Sequence, residues 1–231
     1  HLRDPSWFQW PLLEAAVEQS PSDTWLLQRL AEHLREDGER ETAAHLYRRA
    51  LVQDSSDPLT HDGLGVLLAE TGDLGGAAQC FERAVVLAPG HAGILNNLAN
   101  LYSRQGRLDQ AIARYRQARA LDPEIAEVST GLVKNLARGG ACAEAVMIAQ
   151  AAVERQPDSA DCYQALGFAL TLQGRIEESL AVSAEARRRD PKHVLARLNA
   201  AFTSLYSDAL SAEAVTALHR ECLAAVESQA P

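Results

Sequence analysis

Five residue classes recur along this chain with a period of 34 residues, and this periodicity constrains the fold more than any other feature. Glycine recurs at Gly38, Gly72, Gly106, Gly140 and Gly174, and leucine at Leu30, Leu64, Leu98, Leu132 and Leu166. Alanine recurs at Ala50, Ala84, Ala118, Ala152 and Ala186, a second small residue at Ala43, Ala77, Ala111, Ala145 and Ser179, and proline at Pro89, Pro123, Pro157 and Pro191. Such a period is typical of repeat proteins, in which each unit buries one face only by stacking on its neighbours.

Each repeat has the pattern of a helical hairpin. In the third repeat the two helices are predicted from the helical spacing of Leu95, Leu98, Ala99 and Tyr102 and of Ala111, Ile112, Tyr115 and Ala118. Gly106 is expected to end the first helix, because glycine adopts the left-handed backbone conformation without strain. Asp122 is predicted to cap the first helix of the next repeat, and Pro123 to separate the two repeats.

The period divides the chain into three parts and predicts an all-α solenoid. Five repeats span residues 24–57, 58–91, 92–125, 126–159 and 160–193. Residues 1–23 precede them, with a partial-repeat capping helix over 10–20. Residues 194–231 follow, with a last helix over about 212–227 that Ser211 is expected to cap.

The composition excludes several classes of protein. Lys and Arg total 22 and Asp and Glu total 31, a net charge of −9. Nucleic acids and anionic membranes bind clustered positive charge, so neither is an expected partner. The four cysteines lie far apart, which favours reduced thiols and a cytoplasmic location over a disulfide framework or a zinc site.

No motif of catalysis is present. The seven histidines form no HExxH pattern. The glycine-rich stretch 72–76 falls on the turn between the two helices of a repeat, so it is interpreted as a hairpin turn and not as a phosphate-binding loop. The sequence therefore predicts no catalytic residue, no metal site and no cofactor, and the chain is not expected to be an enzyme.

The repeat motif resembles a known family. Leu98-Ala99-Tyr102 followed by Ala111-Tyr115-Ala118-Pro123, on a 34-residue period, is similar to the tetratricopeptide repeat (TPR). The resemblance covers residues 24–193. It implies a right-handed superhelix whose concave groove is lined by the fifth, sixth, ninth and thirteenth residues of each repeat and binds an extended peptide or a partner helix.

The resemblance places seven polar residues in this groove as candidate binding residues: Asn96, Asn97, Asn100, Arg104, Lys134, Arg138 and Gln164. Amide side chains suit the backbone of an extended peptide, and cations suit an acidic stretch or a carboxylate. The alternative is ordinary solvation of an exposed helix face. The sequence thus predicts a protein or peptide partner, acidic or extended.

Two aromatic groups are candidate docking surfaces. Trp7, Phe8 and Trp10 precede the first repeat, and they either cap the end of the stack or mediate docking and self-association, including a homodimer. The second group follows the last repeats and consists of Phe168, Phe202 and Tyr206. Either the last helix folds back over it, or something outside this chain covers it.

Residues 196–220 carry a further resemblance. They are similar to the junction between the repeats and the catalytic region in bacterial relatives of O-linked N-acetylglucosamine transferases, including the SPINDLY-like group. This implies the substrate-recruiting N-terminal region of a larger glycosyltransferase, with the catalytic residues beyond Pro231. The groove asparagines of those enzymes are matched here at only two of six sixth positions, Asn97 and Asn199. The alternative is a free-standing structural adaptor that assembles through its ends or convex face.

Overall fold

The computed structural model describes residues 10–227, and every regular element within them is a helix. The chain divides into two compact units, residues 1–105 and 106–231. Unit 1 contains α1 (Trp10–Gln19), α2 (Thr24–Glu36), α3 (Arg40–Gln53), α4 (Pro58–Glu70), α5 (Leu74–Leu87) and α6 (Ala92–Arg104). Unit 2 contains α7 (Leu108–Leu121), α8 (Ala126–Arg138), α9 (Cys142–Arg155), α10 (Ala160–Leu172), α11 (Ile176–Arg189), α12 (Val194–Ser204) and α13 (Ala212–Glu227). The predicted all-α repeat fold is confirmed.

A glycine with positive φ lies in the turn between the two helices of each repeat. The angles are 87° at Gly38, 90° at Gly72, 75° at Gly106, 87° at Gly140 and 79° at Gly174. Around Gly38 the Glu39 amide donates to the Leu34 carbonyl at 2.8 Å, which closes the end of α2. The expectation that glycine ends the first helix is therefore confirmed.

The predicted apolar stripes form the core. Leu95, Leu98 and Tyr102 are buried on α6 in unit 1, and Ala111, Tyr115 and Ala118 are buried on α7 in unit 2. Each stripe recurs once per helical turn, so one face of the helix is withdrawn from water while the other stays polar. Within the described residues no helix is both long and apolar enough to cross a membrane.

Four of the first helices, α4, α6, α10 and α12, are capped by the side chain of the last residue of the preceding repeat, which the sequence pattern did not predict. Asp57 accepts from the Thr60 amide at 3.0 Å, and Ser159 accepts from the Cys162 amide at 3.3 Å. The predicted cap Asp122 is wrong. Its carboxylate accepts from the Glu124 amide at 2.9 Å in a tight turn, and Ile125, which has no capping side chain, occupies the cap position of α8. The aspartate oxygen is therefore engaged in the turn before it could reach the helix.

Aromatic rings of second helices lie directly on glycines of the following first helices. In unit 1 a Cβ added to Gly63 would come within 2.7 Å of the Tyr47 ring. In unit 2 a Cβ added to Gly131 would come within 2.5 Å of Cε1 and 2.6 Å of Cζ of Tyr115, which is 1% exposed. Glycine at these places lets the helices approach closely enough to enclose the ring.

A buried polar cluster replaces this arrangement where α10, α11 and α12 meet. Ser183 stands where Tyr115 stands two repeats earlier, and Asn199 stands where Gly131 does. The Asn199 amide donates to the Ser183 hydroxyl at 3.0 Å. The Thr171 hydroxyl lies 2.7 Å from that of Ser179 and 2.8 Å from that of Thr203. These mutual hydrogen bonds satisfy side chains that burial would otherwise make costly.

Candidate interaction faces of the first helices

The candidate site residues lie on the first helices of the repeats. In unit 1 the neighbouring helices are α2, α4 and α6, and in unit 2 they are α8, α10 and α12. We call the surface formed by the fifth, sixth, ninth and thirteenth residues of these helices the first-helix face of each unit. Residues 34 apart occupy equivalent positions on successive first helices.

Asn97 on the first-helix face of unit 1 is engaged within the protein. Its Nδ2 lies 3.0 Å from each carboxylate oxygen of Asp62, which is half-buried on α4. Burial raises the pKa of Asp62 above its usual range, and the hydrogen bonds from Asn97 offset part of that rise. The Asn97 amide group therefore stabilises a partly buried carboxylate within the protein.

The raised pKa of Asp62 predicts that Asp62→Asn stabilises the chain at neutral pH. The folded chain binds the proton of the Asp62 carboxyl group more tightly than the unfolded chain does. The contribution of protonated Asp62 to stability is therefore complete below the unfolded pKa and is lost as the pH rises through the folded pKa. Thermal melts of both proteins should show a higher Tm for the variant at pH 7, and the difference should shrink as the pH falls toward about 4. Asp208→Asn, at an exposed position between α12 and α13, is the matched control and should leave the Tm unchanged. A gain that persists unchanged at acidic pH would contradict the assignment.

The other polar residues of this face differ in their availability. Arg104 donates to the Ala69 carbonyl at 3.1 Å, so it fixes α6 on α4. Asn100 is exposed. Asn96 is half-buried, and its Oδ1 is buried without a hydrogen-bond partner among the described residues. The carboxylate of Glu70 forms an ion pair with Arg35 at 2.6 Å.

The first-helix face of unit 2 carries the remaining candidates. Lys134 is half-buried, and the loss of hydration lowers the pKa of its amine, with a smaller opposing effect from the charge of Asp161. Arg138 is exposed at the end of α8. Gln164 on α10 is only 5% exposed, and its Oε1 has no hydrogen-bond partner within residues 10–227. An unpaired buried acceptor is unfavourable unless another donor reaches it.

The aromatic candidates of unit 2 are not covered by the last helix. Phe202 is 53% exposed and Tyr206 59% exposed, and their ring centroids are 5.3 Å apart, whereas Phe168 is half-buried. α13 packs against α12, where Arg197 donates to the Glu221 carbonyl at 3.0 Å. Of the two alternatives for this surface, the one in which the last helix folds back over Phe202 and Tyr206 is therefore wrong.

Part of the N-terminal prediction falls outside the described structure. Trp7 and Phe8 lie outside the described residues, and Trp10 is the first residue of α1. Leu198, which was not among the predicted site residues, is exposed at the fifth position of α12. Its distance of 34 residues from Gln164 was the signal that could have found it.

Helical hairpins repeated every 34 residues, each turned at a glycine and stacked through aromatic and small residues, define a TPR protein. The sequence matches the family model described as cilia and flagella-associated protein 70 middle TPR-like domain over residues 27–188, so the chain belongs to that family. No curated protein matches the sequence significantly.

Solved structures share the fold at low sequence identity. The chain is similar to YrrB, a TPR protein with an unusual peptide-binding site, at 23% identity and a TM-score of 0.64 over 80% of this chain and 95% of that one. TTC0263, a thermophilic TPR protein in Thermus thermophilus, is 24% identical with a TM-score of 0.62, over 79% of this chain and 99% of that one. A chain of the APC/C hetero-tetramer Cut9–Hcn1 is 13% identical with a TM-score of 0.77, over 94% of this chain and 43% of that one. These likenesses concern the fold.

Proposed function

We propose that this chain is a protein-interaction scaffold that binds a polypeptide segment of a partner on its first-helix faces, with no catalytic activity of its own. The supporting observation is a pair of buried amide oxygens at equivalent positions. Asn96 in unit 1 and Gln164 in unit 2 both occupy the fifth position of a first helix, and neither oxygen has a hydrogen-bond partner among the described residues. A bound polypeptide supplies N–H donors, from its backbone or its side chains, that would satisfy these oxygens once the amide side chains turn toward the surface.

The energetics support a binding role over ordinary solvation. A buried acceptor without a donor costs about 1–3 kcal/mol, and a solvated surface amide would have avoided that cost by facing water. Lys134 adds to this argument, because its amine is partly dehydrated but forms no ion pair within the described residues. Side chains that lower stability are expected at functional sites, where a ligand compensates for them.

We therefore expect Gln164→Leu to raise stability and weaken binding at once. The change removes an unpaired acceptor and keeps the side chain close to its original volume, so the free energy of unfolding should rise by about 1 kcal/mol. Capture of random linear peptides displayed on phage should fall, because the variant lacks the amide oxygen that would accept a hydrogen bond from the peptide. Urea denaturation and phage titres measure the two effects on the same protein.

The matched control is Gln150→Leu, the same change at an exposed position of the second helix α9. It should alter neither stability nor peptide capture appreciably. Equal capture by the Gln164→Leu variant and the unmodified chain would contradict the face assignment. Failure of the unmodified chain to select any peptide would contradict the scaffold proposal itself.

The association with a glycosyltransferase rests on the sequence resemblance of residues 196–220 alone. We propose on that basis that the scaffold recruits substrates for a larger enzyme. Asn97 and Asn199 give the proposal no further support, because Asn97 binds Asp62 and Asn199 lies in the buried polar cluster. Immunodetection of the natural gene product tests it: a mass well above 25.0 kDa is expected, and a mass near that value would contradict it.

A further inference from the structure

The first-helix face of unit 2 changes from cationic to apolar across three neighbouring helices. α8 contacts α10, and α10 contacts α12, so residues 34 apart form rows across them. The ninth positions form the row Lys134, Phe168 and Phe202. The flanking rows consist of Thr130, Gln164 and Leu198 and of Arg138, Leu172 and Tyr206.

The apolar part of this face is exposed to solvent in the chain as it stands. Leu172, Leu198, Phe202 and Tyr206 each expose more than two-fifths of their surface. Phe202 and Tyr206 pack on each other with their rings tilted by 58°, so the aromatic surface is continuous. Contiguous apolar surface of this kind on a protein marks an interaction site more often than isolated exposed residues do.

The charged part of the face is cationic and lacks internal partners. Lys134 and Arg138 form no hydrogen bond or ion pair with the residues that the structure describes, and the three rows contain no carboxylate. The carboxylate of Asp161 interacts electrostatically with Lys134, but its Oδ1 lies 3.0 Å from Nε2 of His193, its closer partner. A partner that places acidic side chains opposite α8 would therefore meet unpaired positive charge.

The arrangement of the apolar residues favours a helix over an extended peptide. Leu198, Phe202 and Tyr206 are spaced four residues apart along one side of α12 and the turn that follows it. Side chains at this spacing form a ridge, and a ridge of this kind fits the groove between side chains of another helix. Recognition of an extended backbone would need several accessible amide groups, whereas Asn135 and Asn199 are buried here and donate to the Gly131 carbonyl and the Ser183 hydroxyl. Gln164 alone offers an amide on the three rows of this face.

We propose that the first-helix face of unit 2 binds an acidic amphipathic helix of a partner protein. The apolar side of that helix covers Phe202, Tyr206 and Leu172, and its acidic residues pair with Lys134 and Arg138. This inference rests on the scaffold function proposed above and adds the chemistry and conformation of the partner segment. It assigns the helix to unit 2 alone, since the corresponding face of unit 1 carries Glu32, Asp62 and Glu70.

The test is a selection of random peptides of about 16 residues, roughly four helical turns, displayed on phage against the complete 231-residue chain. Selected peptides are expected to contain apolar residues at helical spacing, an excess of Asp and Glu, and helical circular dichroism when bound. Phe202→Ser should weaken their binding by about 30-fold, the size of an interface hot spot. The matched control is Leu121→Ser, at an exposed leucine of the second helix α7, and should leave affinity unchanged.

Charge reversal gives an independent readout. The double variant Lys134→Glu and Arg138→Glu should lower the affinity of the acidic peptides by about tenfold, with a smaller effect at high salt, where exposed charges are screened. A selection against this variant should yield basic peptides. Peptides that bind without acidic residues, or that ignore both the Phe202 and the charge variants, would overturn this inference.

The remaining outcomes separate this inference from the scaffold proposal. Peptides that depend on Gln164 or Asn96 but bind in extended form would leave the scaffold proposal standing and overturn the helix assignment. A selection that yields no peptide would overturn both proposals. Sedimentation that shows a concentration-dependent dimer, abolished by Phe202→Ser, would assign the face to a second copy of the chain and also overturn the inference.

Discussion

Gly131→Ala should destabilise the chain by about 2 kcal/mol, although alanine is ordinarily the better residue inside a helix. The added Cβ would lie 2.5 Å from Cε1 and 2.6 Å from Cζ of Tyr115. The ring is 1% exposed and enclosed between α7 and α8, so it cannot move aside without disturbing the packing of both helices. Urea denaturation followed by circular dichroism measures the loss.

A control and a double-mutant cycle show whether the contact with the ring causes this loss. Gly75→Ala places its Cβ no closer than 3.7 Å to the Asp73 side chain, and it should raise stability by up to about 1 kcal/mol. Tyr115→Leu shortens the opposing side chain, so Gly131→Ala should cost less in that background. An equal cost of Gly131→Ala with and without the tyrosine ring would show that the close approach is not the cause.

Asn199→Gly is expected to cost about 2–3 kcal/mol, because it removes a buried hydrogen-bonding side chain and places glycine inside a helix. Asn199 donates to the Ser183 hydroxyl at 3.0 Å, and burial leaves that hydroxyl no access to water. Ser183→Tyr alone should also destabilise, because the ring would overlap Asn199. The two changes together recreate the pair formed by Tyr115 and Gly131, so the double variant should be more stable than either single variant.

Thermal and urea unfolding of the four proteins in this cycle measure the coupling between the two positions. The control change is Ala181→Ser, at an exposed position of α11, the helix that carries Ser183. Its effect and that of Asn199→Gly should add within about 0.5 kcal/mol. A double variant of positions 183 and 199 that is less stable than both single variants would contradict this prediction. It would show that tyrosine at 183 with glycine at 199 does not replace the pair formed by Ser183 and Asn199.

The helices and the core could be predicted from the sequence because both depend on local, periodic information. Leu98 and Tyr102 fall on one face of a helix wherever that helix packs, and Gly106 favours a positive φ independently of its surroundings. The cap of α8 was predicted wrongly because the Asp122 carboxylate bonds to the Glu124 amide within the turn, and Ile125 occupies the cap position. Whether an aspartate near a turn reaches the helix depends on the path of the turn.

The candidate site was predicted less well, because its chemistry depends on neighbours a full repeat away. The sequence placed Asn97 and Arg104 on a binding face, but their partners Asp62 and Ala69 lie 35 residues earlier and meet them only after the helices stack. Gln164 was identified by position, whereas its unpaired oxygen followed from the packing around it.

The sequence by itself determined the class of this protein: a 34-residue period of apolar, small and glycine residues allows each repeat to bury its helices only as a stacked hairpin. The tertiary structure alone decided which polar side chains are consumed within the stack, such as Asn199, and which have no partner among the described residues, such as Lys134 and Arg138. It also decided that Phe202 and Tyr206 stay exposed beside α13. The physical reason is that periodicity fixes which face a residue occupies, whereas desolvation and pairing depend on the distances between helices that are remote in sequence.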